Sequence, residues 1–232
     1  MAYTISNSNS EIHFTETGVM NNKFIADFLK HFFPGDPIFQ DVPDHTKNRK
    51  HVHVPTKENF DKVLSVVKDQ DYVMLKFFEL TGARAKEVFM QKWSDIHFDQ
   101  NCIYFWTMMG NHEDKELNSI PMPPELKELL LDWKEKQPIQ TEYVFVNNVS
   151  HSKGYGKPYK NRGRFMHHVC EEAGVPYFGF HGIRRFTAMQ LSDAGHPTSH
   201  IQRILRHKHE SSTSQYMFEL HIRHFKEIEE TY

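Results

Sequence analysis

Apolar residues recur at helical spacing through most of the chain, and the breaks between runs fall on Gly, Pro, Asp and Asn. Residues 1–18 have no such period and are rich in Ser, Asn and Thr, which predicts a disordered or weakly ordered tail. Phe24, Phe28 and Phe32 predict a helix over 21–33, ended by Pro34-Gly35-Asp36-Pro37. The charged, His-rich stretch 41–53 reads as a linker. From Val54 the pattern tightens. Thr56 is placed to cap a helix carrying Phe60, Val63, Leu64 and Val67. Further helices are expected from about Tyr72 to Leu80 and, after Gly82, from Arg84 to Lys92. Asp95 to Met109 alternates around Asp99-Gln100-Asn101, the mark of a hairpin, and a further strand should end near Ile120. Pro123-Pro124 opens a helix with Leu126, Leu129, Leu130 and Trp133, and Tyr143 to Val146 reads as a short strand.

The second half is more helical. A Gly- and Lys-containing loop over 151–164 leads into a helix that stops at Gly174. Another runs from about Ile183 to Ala194 and stops at Gly195. Thr198 and Ser199 are cap candidates for a helix ending near Arg206. A short helix after Ser211 holds Tyr216, and an amphipathic one over 221–230 shows a seam of Ile222, Phe225 and Ile228. The expected fold is mainly α with a small antiparallel β-sheet, an α+β domain spanning 54–232, preceded by a helical segment and linker over 19–53. The 19 phenylalanines are best placed in its core.

Composition narrows the classes. With 38% apolar and 25% charged residues the chain is of ordinary globular type. Its longest apolar runs, 103–106 and 143–146, are far too short to span a bilayer, and the start lacks a signal-peptide pattern. Cys102 and Cys170 do not make a disulfide framework and are expected reduced, which makes the cytoplasm the default location. The net charge of −2 argues mildly against nucleic acid, but it hides an asymmetry. Residues 150–208 hold ten Lys or Arg against Glu171, Glu172 and Asp193, a net of +7. On charge alone that stretch reads as solvated surface; for a polyanion the local patch matters more than the total.

The chemistry of phosphodiester cleavage gives the scattered polar residues a common purpose. Charge grows on the non-bridging oxygens in the transition state and calls for fixed cationic donors, for which the planar guanidinium is suited. The leaving oxygen needs a proton, and a tyrosine hydroxyl can attack and hold the phosphoryl group. Leu80-Thr81-Gly82-Ala83-Arg84-Ala85-Lys86-Glu87 puts Arg84 at a helix start after a Gly turn. His181-Gly182-Ile183-Arg184 puts a His and an Arg on one side of another helix start. Leu205-Arg206-His207 precedes Tyr216 by nine residues counted from His207.

These blocks resemble, in order and spacing, the signature boxes of the tyrosine recombinase, or phage integrase, family. Arg84 matches the Thr-Gly-x-Arg-x-x-Glu box, His181 and Arg184 the His-x-x-Arg box, His207 the later His position and Tyr216 the nucleophile. The gaps fit too: 97 residues from Arg84 to His181 and 23 from Arg184 to His207. Trp93, Asp95 and Ile96 match a common continuation of the first box. The resemblance runs from Val54 to Tyr216. It implies a site-specific DNA recombinase that works without metal, ATP or other cofactor. Arg84 and Arg184 would clamp the scissile phosphate, His207 would bond a phosphate oxygen, and His181 would assist proton transfer at Tyr216. Tyr216 would form a 3′-phosphotyrosyl bond and release a 5′-hydroxyl. Double-stranded DNA is the implied partner, and a homo-tetramer on DNA the implied assembly. Lys153, Lys157, Lys160, Arg162, Arg164, Arg185 and Arg206 are the candidate DNA contacts.

Two departures stand out. The family's hairpin lysine is absent from Thr107-Met108-Met109-Gly110; the nearest is Lys115, which takes the position tentatively. If it does not reach, cleavage is impaired. Residues 19–53 are also too few for the family's DNA-clamping domain and make an incomplete core-binding region. Arg206 replaces the usual glycine before the His, which reads as an extra phosphate contact. Rival readings are a DNA-binding remnant without catalysis and a type IB topoisomerase-like relaxing enzyme. A metal-binding reading rests on the seventeen histidines, with ligand-like spacing in His51-Val52-His53, His207-Lys208-His209, and His221 with His224. No compact set with carboxylate or Cys partners accompanies them, and scattered surface histidines fit better. The seam at 222–228 suits docking on a neighbouring protomer or packing in cis equally.

Overall fold

In a computed structural model, residues 4–7, 10–13, 52–108 and 115–206 are described. The chain divides into two units, Met1–Lys50 and His51–Tyr232. In the first, β1 (Thr4–Asn7) and β2 (Ser10–His13) pair antiparallel, with Ile5 opposite Ile12. Both strands fall within the stretch expected to be a tail. The helix expected over 21–33, most of the linker, and everything after Arg206 lie outside the described residues.

The second unit has the expected class, a mostly helical domain with one small antiparallel sheet. Its helices are α1 (Lys57–Val66), α2 (Asp69–Thr81), α3 (Ala85–Phe89), α4 (Pro124–Lys136), α5 (Gly163–Glu172), α6 (Phe180–Asp193) and α7 (Thr198–Leu205). The sheet has the order β3 (Ile96–His97), β4 (Cys102–Met108), β5 (Lys115–Pro121). Thr56 caps α1 as expected, its hydroxyl accepting the Asn59 N–H at 3.2 Å. The Asp99–Asn101 turn joins β3 to β4, and Lys115 pairs with Met108 at the loop end of the β4–β5 ladder.

Helix α2 runs through the middle of the core. Val73, Met74, Leu75, Phe77 and Phe78 are all buried on it, and it packs against α4 and α6. Phenylalanine links the layers. Phe77 meets Phe105 of β4 and Phe145 edge-on at 6.1 and 5.6 Å, and Phe78 stacks on Phe180 at 4.6 Å. Phe60 of α1 meets Phe186 of α6 at 5.3 Å. Apart from the partly buried Phe180, each of these rings is buried and contributes up to about 3 kcal/mol of transfer free energy. A second, smaller cluster of Ala188, Ile201 and Leu205 seats α7 on α6.

Several boundaries differ from expectation. Tyr143–Val146 makes only isolated bridges, to Lys92 and Pro158, not a strand. The buried Gln70 side chain takes a neighbouring strand's place there: its Oε1 accepts the Val146 N–H at 2.9 Å and its Nε2 donates to the Val146 carbonyl at 2.8 Å. Helix α3 stops at Phe89, short of Lys92, because a 3-10 turn over Trp93–Asp95 follows. Helix α2 starts at Asp69 and α6 at Phe180, earlier than their apolar periods suggested. Thr198 and Ser199 do not cap α7. Pro197 holds the cap position in extended conformation with no side-chain bond, so both residues already lie inside the helix.

Candidate active site

The first box folds as it does because Gly82 ends α2 in the left-handed region, at φ +56°. A Cβ there would also come within 2.7 Å of Leu205 Cδ2, so α7 packs directly onto this glycine. The chain turns at once into α3, and Arg84 is its N-cap. Glu87, one turn on, reaches back to accept the Arg84 backbone N–H at 2.8 Å, half of a capping box.

The second box lies at the start of α6. His181 is exposed in the first turn, and Arg184 follows it on the same helix with 2% of its surface exposed. Gly182 between them permits a close crossing, since a Cβ would lie 2.5 Å from the His53 carbonyl oxygen.

The two arginines meet at the end of α7. Arg184 donates from Nη1 to the Gly82 carbonyl at 2.6 Å and from Nη2 to the Leu205 carbonyl. Arg84 donates from Nη2 to the Arg206 carbonyl at 3.1 Å. Guanidinium groups a hundred positions apart in sequence therefore bind successive carbonyls of one turn, the turn that leads to His207. These carbonyls are among those a helix C-terminus leaves unpaired, and cations are favoured there. Arg84 keeps 39% of its side chain exposed, so the pair has a buried member and an open one.

Below them sits a carboxylate shared by two cations. Glu87, with 4% of its side chain exposed, binds Arg84 Nη1 through Oε1 at 2.9 Å and Arg206 Nη2 through Oε2 at 2.8 Å. Arg206 is 3% exposed, donates from Nη1 to the Ile204 carbonyl at 3.0 Å, and lies over the Phe105 ring at 4.2 Å. Burial pushes its guanidinium below the usual value; Glu87 opposes this, and Arg84 adds to the lowering. Its backbone is left-handed, φ +54° and ψ +47°, a conformation costing a non-glycine residue about 1 kcal/mol or more. The turn has the shape that glycine adopts most readily, but here it carries an arginine aimed inward.

Of the sequence candidates, Arg84, His181 and Arg184 are described, and the two arginines are brought together. His207 and Tyr216 lie outside the described residues, and for Lys115 only its backbone position is described. Lys153, Lys157, Lys160 and Arg164 are exposed, on the 151–162 segment and the start of α5. That segment is pinned by Asn147, whose N–H bonds the Lys157 carbonyl at 2.9 Å. Arg185 is half-buried. Arg162 and Arg206, expected on a DNA-facing surface, are instead turned into the protein. Arg162 is 13% exposed, grips both oxygens of Asp71, and is stacked between Tyr159 and Phe165 at 4.3 and 3.9 Å. Glu87, which enters the sequence reading only as the last residue of the first box, takes a central place here. The signal was present: a Glu three residues past a cap position is the capping-box pattern. Among the described residues no three His, Cys, Asp or Glu side chains gather as a metal set, and no helix is long and apolar enough to cross a membrane.

Helices α2 to α7 around a three-stranded sheet, with two arginines from separate boxes converging on one turn, define a catalytic-domain fold of the integrase type. The model of the Phage integrase family matches residues 53–221, and the chain belongs to that family. It is similar to a "Tyrosine recombinase XerC-like" protein of Caldanaerobacter subterraneus subsp. tengcongensis, 26% identical over 164 residues. The aligned part is 58% of this chain and 41% of that relative, so the chain spans about two fifths of its length. Among solved structures, XerA recombinase matches with TM-score 0.60 at 18% identity, over 87% of this chain and 75% of that one. The Tn1549 transposon integrase in complex with transposon right end DNA matches with TM-score 0.61 at 16% identity, over 73% and 62%. The catalytic domain of bacteriophage HP1 integrase matches with TM-score 0.54 at 16% identity, over 72% and 88%. At these identities the structural likeness concerns the fold.

Proposed function

We propose that this chain is the catalytic part of a site-specific DNA recombinase, which cuts and rejoins double-stranded DNA through a 3′-phosphotyrosyl bond to Tyr216. The observation that carries the reading is the convergence of Arg84 and Arg184 on the turn that precedes His207. In the proposed reaction the two guanidiniums and His207 bind the non-bridging oxygens of the scissile phosphate and offset the charge that grows there. Tyr216 Oη attacks phosphorus while its proton passes towards His181, exposed on the first turn of α6. The P–O5′ bond breaks, and the 5′-oxygen leaves with a proton from an acid, for which Lys115 at the loop end of the β4–β5 hairpin is the candidate. A 5′-hydroxyl from a partner strand then attacks the phosphotyrosine and restores Tyr216. The ester bond is exchanged rather than hydrolysed, so no nucleotide is consumed. Exchange between two duplexes requires several protomers, and a tetramer on paired sites is the assembly proposed. The exposed Lys153, Lys157, Lys160 and Arg164 supply phosphate contacts along the duplex.

The test is a nicked suicide substrate, from which the short 5′-hydroxyl fragment diffuses away. A covalent protein–DNA adduct on a denaturing gel, lost in Tyr216→Phe, is the expected result. DNA binding without an adduct would make the chain a non-catalytic remnant, and relaxation of supercoils without exchange would make it topoisomerase-like.

A further inference from the structure

We propose that Arg206 is a positioning residue for the strand-cleavage step, holding the turn that leads to His207 against Arg84 by means of Glu87, rather than a contact to DNA. The inference rests on the recombinase reading above. Three observations point the same way. The side chain is 3% exposed and spans two structural elements, bonding Glu87 of α3 and capping its own helix at the Ile204 carbonyl. Its third face lies on the Phe105 ring of β4 at 4.2 Å. The same residue's carbonyl accepts from Arg84 Nη2 at 3.1 Å, so side chain and main chain of one residue both fix the first-box arginine, one through Glu87 and one directly.

A left-handed turn of this kind forms readily with glycine, and glycine has no side chain to tie it to anything. With arginine at φ +54° the turn is strained but anchored on three sides. The segment carrying His207 starts at this residue. Its starting direction is thereby set relative to Arg84, which presents the open part of the proposed phosphate clamp. Removing the anchor leaves Arg84 and Arg184 in the chain but loosens the angle at which His207 meets the phosphate. That geometry affects the reaction rate more than binding.

Arg206→Gly is the informative variant, because glycine accepts the backbone conformation and the turn still forms. Three quantities are measured on the full chain: DNA affinity with its salt dependence, the single-turnover rate of adduct formation at saturating suicide substrate, and hydrogen exchange of the amides at 205–208 without DNA. The expected result is affinity within about twofold and an unaltered salt slope, with the adduct rate lowered about 10- to 100-fold and faster exchange confined to 205–208. Glu87→Gln is expected to do the same, the double variant to be no slower than the slower single one, and Arg206→Lys to recover part of the rate. A weaker affinity with the salt slope reduced by about one, and an intact rate at saturation, would overturn the proposal in favour of a phosphate contact. A lowered melting temperature with rate and exchange unchanged would overturn it in favour of a purely structural ion pair. If the parent chain forms no adduct, the recombinase reading fails by itself. Exchange at 205–208 then still decides whether Arg206 holds the turn, an unchanged pattern overturning it.

Discussion

Gly82→Ala separates the two reasons for which the first box carries a glycine. The backbone at Gly82 has φ +56°, which an alanine adopts at a cost of about 1–2 kcal/mol. The new methyl would also meet Leu205 Cδ2 at 2.7 Å and Thr187 Cγ2 at 3.4 Å. Leu205 is fully buried in the small cluster with Ala188 and Ile201, so it yields only by disturbing the seat of α7. Overpacking of that kind adds about 1–3 kcal/mol, and the total expected is about 2–5 kcal/mol. For a unit of this size that corresponds to a fall of about 5–15 °C in Tm. Gly174→Ala is the built-in control: its φ is +66°, and nothing lies within 4 Å of the added carbon, so only the conformational cost should appear. Urea unfolding followed by tryptophan fluorescence reports on the right unit, because Trp93, Trp106 and Trp133 all lie in it. The difference between the two variants measures the packing of α7 on the box. Equal destabilisation within about 0.5 kcal/mol would refute the claim that Gly82 is required for that contact.

Arg162→Ala should cost about 2–4 kcal/mol of stability by stranding Asp71, yet leave the salt slope of DNA binding unchanged, whereas Lys157→Ala should lower that slope by about one and leave the urea midpoint in place. Reversed outcomes would put Arg162 on the DNA. Burial raises the Cys170 thiol above 9.0 and the Tyr159 hydroxyl above 10.0, with the Phe178 carbonyl and the Arg162 charge, respectively, pulling the other way. Both groups thus bind protons more tightly folded than unfolded, so their contribution is complete below about pH 9 and is lost as the pH rises through their folded values. The urea midpoint should fall from about pH 9 upward, less steeply in Cys170→Ala; a midpoint flat to about pH 10.5 would contradict the burial argument.

What the sequence disclosed follows a physical division. The helices with strong apolar stripes were legible because burying one face imposes a period, and the β3–β4 turn because Asn101, at φ +50°, is of a type that tolerates it. The arginines of the two boxes stood out because their order and spacing resemble the family's signature boxes. The stretch 143–146 was not, since a local apolar run cannot reveal that Gln70, 76 residues earlier, will satisfy its backbone. Nor could charge alone tell Arg162 and Arg206 from Lys157 and Lys160. The difference lies in which cations find a buried or half-buried carboxylate, and those carboxylates, Asp71 and Glu87, are far away in sequence.

The contacts that hold the two converging arginines in place also leave them able to act as proposed. Each terminal guanidinium nitrogen carries two hydrogens, and each of these bonds uses one of them. Arg184 spends one on Gly82 and one on Leu205; Arg84 spends one on Glu87 and one on Arg206. These bonds fix the planes of both groups, so in the proposed reaction little reorganisation accompanies charge development on a phosphate. The same bonds account for the buried charge. A cation at 2% exposure is tolerable because the carbonyls at the end of a helix, which would otherwise lack partners, face it. The need to satisfy the last turn of α7 and, in the proposed reaction, the need for pre-aimed donors are met by one set of hydrogen bonds.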